Sequence, residues 1–178
     1  MITYCRVKWG EKKEINGEKT KRLNLILIFK IWKKRKKNKL LPFILIGNYS
    51  LIKKQMEYLG YNFKLSKIDE KFNKLETNTI SILDIDFNQK KPFEKISDKS
   101  NNYIFKSFDA AIKLAKTNKI QGFINCPVSK ETLLNKKFNG ITEFIAYKTG
   151  YYNKATMLIY SKKLAVTPIT THIPIKKI

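Results

Sequence analysis

Residues 103–130 read YIFKSFDAAIKLAKTNKIQGFINCPVSK, and this stretch decides the fold class. Ile104, Phe108, Ala111, Ile112 and Ala115 recur at helical spacing, so a helix is expected from Tyr103 to Lys116. Gly122 to Cys126 is a short apolar run stopped by Pro127, the pattern of a strand. Ser129 is placed to cap a further helix through Leu134. Helix, strand and helix in such quick succession are the alternation of an α/β domain with a mainly parallel sheet.

Toward the N-terminus the same alternation continues. Ile80 to Phe87 reads as a strand, while residues 61–79 are polar with only weak strand character. Ser50 is the expected N-cap of a helix through Leu59, which Gly60 ends. Pro42 opens a strand from Phe43 to Ile46, and Gly47-Asn48 closes it. Leu25 to Lys37 reads as a helix, and residues 1–22 show no clear period. Toward the C-terminus, Thr142 is expected to cap a helix from Glu143 to Lys148. Strands follow at Thr156–Tyr160 and Leu164–Thr167. No repeat and no Pro/Gly-rich linker interrupts the chain, so one structural unit is expected.

The formal net charge is +23, and all but three of the 37 basic residues are lysine. Such a balance attracts polyanions. Lysine, however, lacks the bidentate fork that favours phosphate and guanine, and no recognition motif accompanies the charge. Compositional drift, with isoleucine and asparagine also frequent, is favoured over a nucleic-acid partner. The run Lys33-Lys34-Arg35-Lys36-Lys37 reads as the solvated end of a helix, although a membrane surface or nucleic acid would also suit it. No apolar stretch is long enough to span a bilayer, and no membrane partner is expected. Cys5 and Cys126 are far apart, which fits a reducing cytoplasm better than a disulfide framework.

Three local patterns carry chemistry. In Asn125-Cys126-Pro127-Val128-Ser129-Lys130-Glu131 a lysine stands at a strand-to-helix turn, where open α/β sheets bind ligands and a helix start offers N–H groups to an anion. In Phe138-Asn139-Gly140-Ile141-Thr142-Glu143-Phe144, Thr142 offers a hydroxyl from a second helix start. In Thr170-Thr171-His172-Ile173-Pro174 a lone imidazole is a possible ligand for a divalent metal. Each taken singly also has a structural reading: a solvated lysine, a capping threonine, a structural histidine.

In this order and spacing the three patterns resemble the 4-hydroxythreonine-4-phosphate dehydrogenase family of pyridoxal phosphate (vitamin B6) biosynthesis. Its members carry a P-x-x-K turn, then G-H-T-E-(F/Y), then T-T-H-(I/L/V)-P. The resemblance covers residues 26–178, an incomplete α/β dehydrogenase domain, and leaves residues 1–25 as an unmatched basic segment. It implies a fold like that of the isocitrate and isopropylmalate dehydrogenases and a cytoplasmic homodimer. It implies an oxidoreductase that uses NAD or NADP and a divalent metal such as zinc, held by three histidines, to oxidise 4-hydroxythreonine phosphate before decarboxylation. By that resemblance Lys130 and Thr142 meet the substrate and His172 is the first metal ligand. No catalytic residue is assigned.

The departures are specific. Where the family has a histidine before the threonine, this chain has Ile141. Losing that polar contact costs a site built around it about 1–3 kcal/mol. The family's early G-D/E-P-A-G-I-G-P loop is absent from residues 1–25. The chain reads as the family's N-terminal part only. The other two metal histidines and the nucleotide site are expected to lie outside it, so turnover by this chain alone is not expected. The alternative reading is a non-catalytic basic module that binds nucleic acid.

Overall fold

The computed structural model describes residues 17–94, 98–126, 128, 133, 137–138, 140–170 and 176. The chain divides into two compact units, residues 1–128 and 129–178.

The first unit is built on a three-stranded parallel sheet. Its elements are α1 (Gly17–Lys34), β1 (Ile44–Gly47), α2 (Tyr49–Tyr58), β2 (Leu65–Ile68), β3 (Ile80–Asp84), a 3₁₀ turn (Asp98–Ser100) and α3 (Asn101–Lys116). The sheet order is β1-β3-β2. β3 lies between its two partners, with Leu45 opposite Ile82 and Lys67 opposite the same residue on the other side. Side chains alternate across a strand, so neighbouring residues feed opposite cores. Leu45, Ile80 and Ile82 pack with Phe29, Trp32, Ile52 and Met56 from α1 and α2. Ile44 and Leu83 pack with Ala110, Leu114 and Ile120 on the α3 side. Both faces of the sheet are therefore covered, as parallel sheets require. Aromatic contacts close the first core: Trp32 meets Phe43 edge-on at 5.5 Å, and Phe29 meets Tyr61 at 5.1 Å.

The structure corrects several expected boundaries. α1 begins at Gly17 and ends at Lys34, where the sequence pattern predicts a helix over Leu25–Lys37. The cap of α2 is Asn48, not Ser50: Asn48 Oδ1 accepts the Leu51 N–H at 2.9 Å while its Nδ2 donates to the Ile85 carbonyl at 3.2 Å. Ser50 has no such second anchor and lies inside the helix. Gly60 does end α2, with φ of +74°. A strand forms at Leu65–Ile68, within the polar stretch, and β3 stops at Asp84 rather than Phe87. Residues 122–126 join no sheet, although their composition suits a strand.

In the second unit α4 (Ile141–Thr149) starts after Gly140, so Thr142 is the helix's second residue rather than its cap. Gly150, at φ +82°, closes it in the left-handed region. Phe138 packs on Phe144 at 5.6 Å and on Tyr147 at 5.3 Å. After a 3₁₀ turn (Tyr152–Lys154), β4 (Ile159–Tyr160) and β5 (Ala165–Val166) form an antiparallel pair, shorter than expected. The Ser161 hydroxyl accepts the Lys163 and Leu164 N–H groups and so ties the turn between them. No helix among the described residues is long and apolar enough to cross a membrane.

Candidate functional site

In a parallel sheet the loops leaving the carboxyl ends of the strands are where ligands meet the fold. Here that edge carries a connected polar network. β1 ends at Gly47 and turns at once into α2. Asn48 caps the helix, and its own N–H donates to the Tyr103 hydroxyl at 3.0 Å. The next N–H, from Tyr49, donates to Asp84 Oδ1 at the end of β3, at 2.8 Å. Asp84 Oδ2 pairs with Lys67 of β2 at 2.7 Å. The Lys67 ammonium also lies 5.1 Å from the Tyr49 ring centre. All three strand ends and the start of α3 are thus tied together.

Gly47 makes this possible. A Cβ there would lie 2.7 Å from the Tyr103 hydroxyl oxygen and 3.2 Å from Ile52 Cδ1. Tyr103 is held from its other side by Phe87, stacked at 4.5 Å with 16° between the rings. Partial burial would raise the Asp84 carboxyl, but the Lys67 hydrogen bond, the Tyr49 N–H and the Lys67 charge together hold it below the ordinary value. Burial, opposed by the Asn48 N–H and reinforced by the negative charge of Asp84, pushes the Tyr103 hydroxyl up, so it stays protonated at neutral pH.

A cavity of about 200 Å³ opens beside this network. Ile46, Tyr103, Phe108, Phe123, Asn125 and Cys126 are among its lining residues. Cys126 is exposed as a residue, yet its neighbours desolvate the sulfur enough to raise the thiol's pKa. It is therefore a neutral thiol rather than a ready nucleophile. Ser107 donates to the Tyr103 carbonyl at 2.8 Å and Asn125 to the Cys126 carbonyl at 3.1 Å. The site is an apolar slot with a neutral polar rim and one neutralised carboxylate beside it. It suits binding and orientation; among the described residues no nucleophile–base pair stands in it.

Of the residues singled out in the sequence, Lys130 and His172 lie outside the described residues. Thr142 is exposed on α4. Ile141, half-buried, offers the hydrocarbon side chain expected of it. The described residues hold no group of three or more His, Cys, Asp or Glu able to bind a metal. With one histidine in the whole chain, its own donors do not complete a three-histidine centre. The sequence reading missed Lys67, Asp84 and Tyr103. Only Gly47-Asn48, which in sequence reads as the close of the Phe43–Ile46 strand, signals that edge.

Comparison with known proteins places this chain. The family profile described as pyridoxal phosphate biosynthetic protein PdxA matches residues 39–178. The D-threonate 4-phosphate dehydrogenase of Cupriavidus necator is 29% identical over 134 residues, 73% of this chain and 40% of the relative. The 4-hydroxythreonine-4-phosphate dehydrogenase of Aquifex aeolicus is 27% identical over 154 residues, 85% of this chain and 47% of the relative. A crystal structure of a 4-hydroxythreonine-4-phosphate dehydrogenase from Burkholderia phymatum superposes with a TM-score of 0.72 at 23% identity, covering 87% of this chain and 48% of that one. That likeness establishes the shared α/β fold, and the chain spans about half the length of the curated relatives it matches. On the match over residues 39–178, the chain belongs to the PdxA family.

Proposed function

We propose that this chain supplies the P-x-x-K, threonine and first-histidine segments of a PdxA-type dehydrogenase site for a phosphorylated, hydroxylated four-carbon acid. The observation that carries the reading is the family match over residues 39–178, which contains all three motifs in family order. Lys130, the lysine of the P-x-x-K motif, is suited to a substrate phosphate or carboxylate. Thr142 offers its hydroxyl to a substrate oxygen, and His172 one imidazole to a divalent metal. The reaction is the transfer of hydride from the substrate's carbinol carbon to NAD or NADP, with the hydroxyl proton leaving to solvent. The resulting β-keto acid then loses carbon dioxide. Relatives are named for both 4-hydroxythreonine phosphate and D-threonate phosphate. These two differ at the amino-bearing carbon, and Ile141 removes one polar contact from whichever is bound.

Metal and nucleotide must be met by groups beyond this chain's single histidine, in a homodimer of the longer family type. The 178 residues alone are therefore expected not to turn over. The test is NADH or NADPH formation by the purified chain with zinc and either phosphorylated substrate, beside an active full-length relative. Turnover by the isolated chain would overturn the assignment of an incomplete donor set. Absence of turnover, with substrate binding weakened about tenfold by Thr142→Val, supports the reading.

A further inference from the structure

The turn that follows α1 has features the dehydrogenase reading does not use. Lys33, Lys34, Lys36, Lys37 and Lys39 are all exposed, and none has a salt-bridge partner among the described residues. The turn is a built one. Asn38 N–H donates to the Lys34 carbonyl, Lys39 N–H to Lys36 and Leu40 N–H to Arg35. Lys39 sits at φ +47°, a left-handed conformation that glycine or asparagine adopts at lower cost. Arg35 anchors the turn from beneath. Its guanidinium donates to the Trp32 carbonyl at 2.9 Å and the Thr77 carbonyl at 3.0 Å, and it covers the Trp32 ring at 3.6 Å. Immediately after the lysines, Leu40 and Leu41 stand in solvent, 43% and 61% exposed.

We propose that residues 33–41 form a docking surface for an anionic membrane, with the lysines at the headgroups and Leu40 and Leu41 entering the interface. The charge is complementary to anionic lipid. The two leucines supply the apolar insertion that a purely electrostatic contact lacks. The same geometry disfavours nucleic acid. The patch's arginine is occupied by Trp32 and Thr77, and the neighbouring indole is buried under it, so neither a bidentate fork nor a stacking ring is offered to bases. Glu76, which shares a groove with Arg35, Lys36 and Lys39, is the acid nearest this rim among the groove's lining residues. The sequence allows this basic run a membrane surface as partner but contains no spanning segment. Peripheral docking needs none, and it does not depend on the dehydrogenase assignment.

The test is co-sedimentation of the 178-residue chain with phosphatidylcholine vesicles, with and without phosphatidylserine. Binding is expected only with phosphatidylserine. Lys36→Glu with Lys37→Glu should lower the partition coefficient by more than about 25-fold, taking roughly fivefold per lysine removed. Leu40→Ser with Leu41→Ser, at unchanged charge, should lower it several-fold. Lys53→Glu with Lys54→Glu on α2, also exposed, should change it far less. Circular dichroism melts check that each variant keeps its fold. An equal loss in the α2 control would reduce the effect to overall charge and overturn the proposal. So would serine variants that bind like the parent, displacement of vesicles by polyuridylate, or no binding to phosphatidylserine.

Discussion

β3 and the β4–β5 pair are both short strands, yet they live under opposite conditions. β3 is hydrogen-bonded on both sides and covered on both faces, with Ile80 and Ile82 fully buried. Among the described residues β4 and β5 pair with each other alone, and Ile159, Tyr160 and Val166 all stand in solvent. A lone two-stranded hairpin is at best marginal in water, whereas a doubly covered parallel strand is a core. Composition does not separate the two, since both carry β-branched residues. Burial does, and the contrast sets the size of each expected mutational effect.

The largest effect should come from Ile82→Ala, which is expected to cost about 2–5 kcal/mol through lost burial and the cavity left behind. Ile159→Ala, the matching change in β4, should cost within about 0.5 kcal/mol, as exposed positions do. Urea unfolding of both variants checks this, and equal losses would mean that the hairpin is buried in solution.

Glycines extend the contrast. Gly47→Ala drives a methyl against the Tyr103 hydroxyl and Ile52, and overpacking of that kind costs about 1–3 kcal/mol. Gly150→Ala meets nothing within 4 Å, and only the left-handed backbone resists it, at about 1 kcal/mol. Pairing Gly47→Ala with Tyr103→Phe discriminates a steric cause. If the clash with the hydroxyl dominates, removing that oxygen should recover part of the loss, and thermal melts would register it.

Asn48→Ala is expected to cost about 1 kcal/mol by uncapping α2, while Ser50→Ala should be close to neutral. A larger loss at Ser50 would restore the cap that sequence alone suggests. Asp84→Asn should cost under about 1 kcal/mol because Lys67 is well exposed. Its pH dependence has a definite sign. The folded Asp84 pKa is depressed, so its contribution is present above the unfolded carboxylate pKa and fades as pH falls through the folded one. Parent and variant should therefore differ at neutral pH and converge in acid, as denaturant titrations across that range would record.

Much of the fold was legible before any coordinates. Ile104, Phe108, Ala111 and Ile112 announce α3 because a 3.6-residue period leaves one face to bury. Phe43 to Ile46 announces β1 because a short apolar run before Gly47-Asn48 has few other solutions. Leu65-Ser66-Lys67-Ile68 did not announce β2: half of it is polar, and it is a strand because β3 offers a hydrogen-bonding edge. Residues 122–126 erred in the opposite direction, with strand composition and no ladder to join. At the site, Gly47 was visible as a turn, but Lys67, Asp84 and Tyr103 were unremarkable letters until the sheet order β1-β3-β2 set their elements side by side.

Taken alone, then, the amino-acid sequence determined the α/β class, the principal helices and, through three ordered motifs, the family. The first two rest on local periodicity along the chain, and the third on the resemblance of those motifs to the family's. Which strands pair, that Asn48 rather than Ser50 caps α2, and that Arg35 turns inward while Leu40 and Leu41 turn out were decided only in three dimensions. Each depends on a partner fifteen or more residues away or on burial against another element, and short-range pattern carries no record of either.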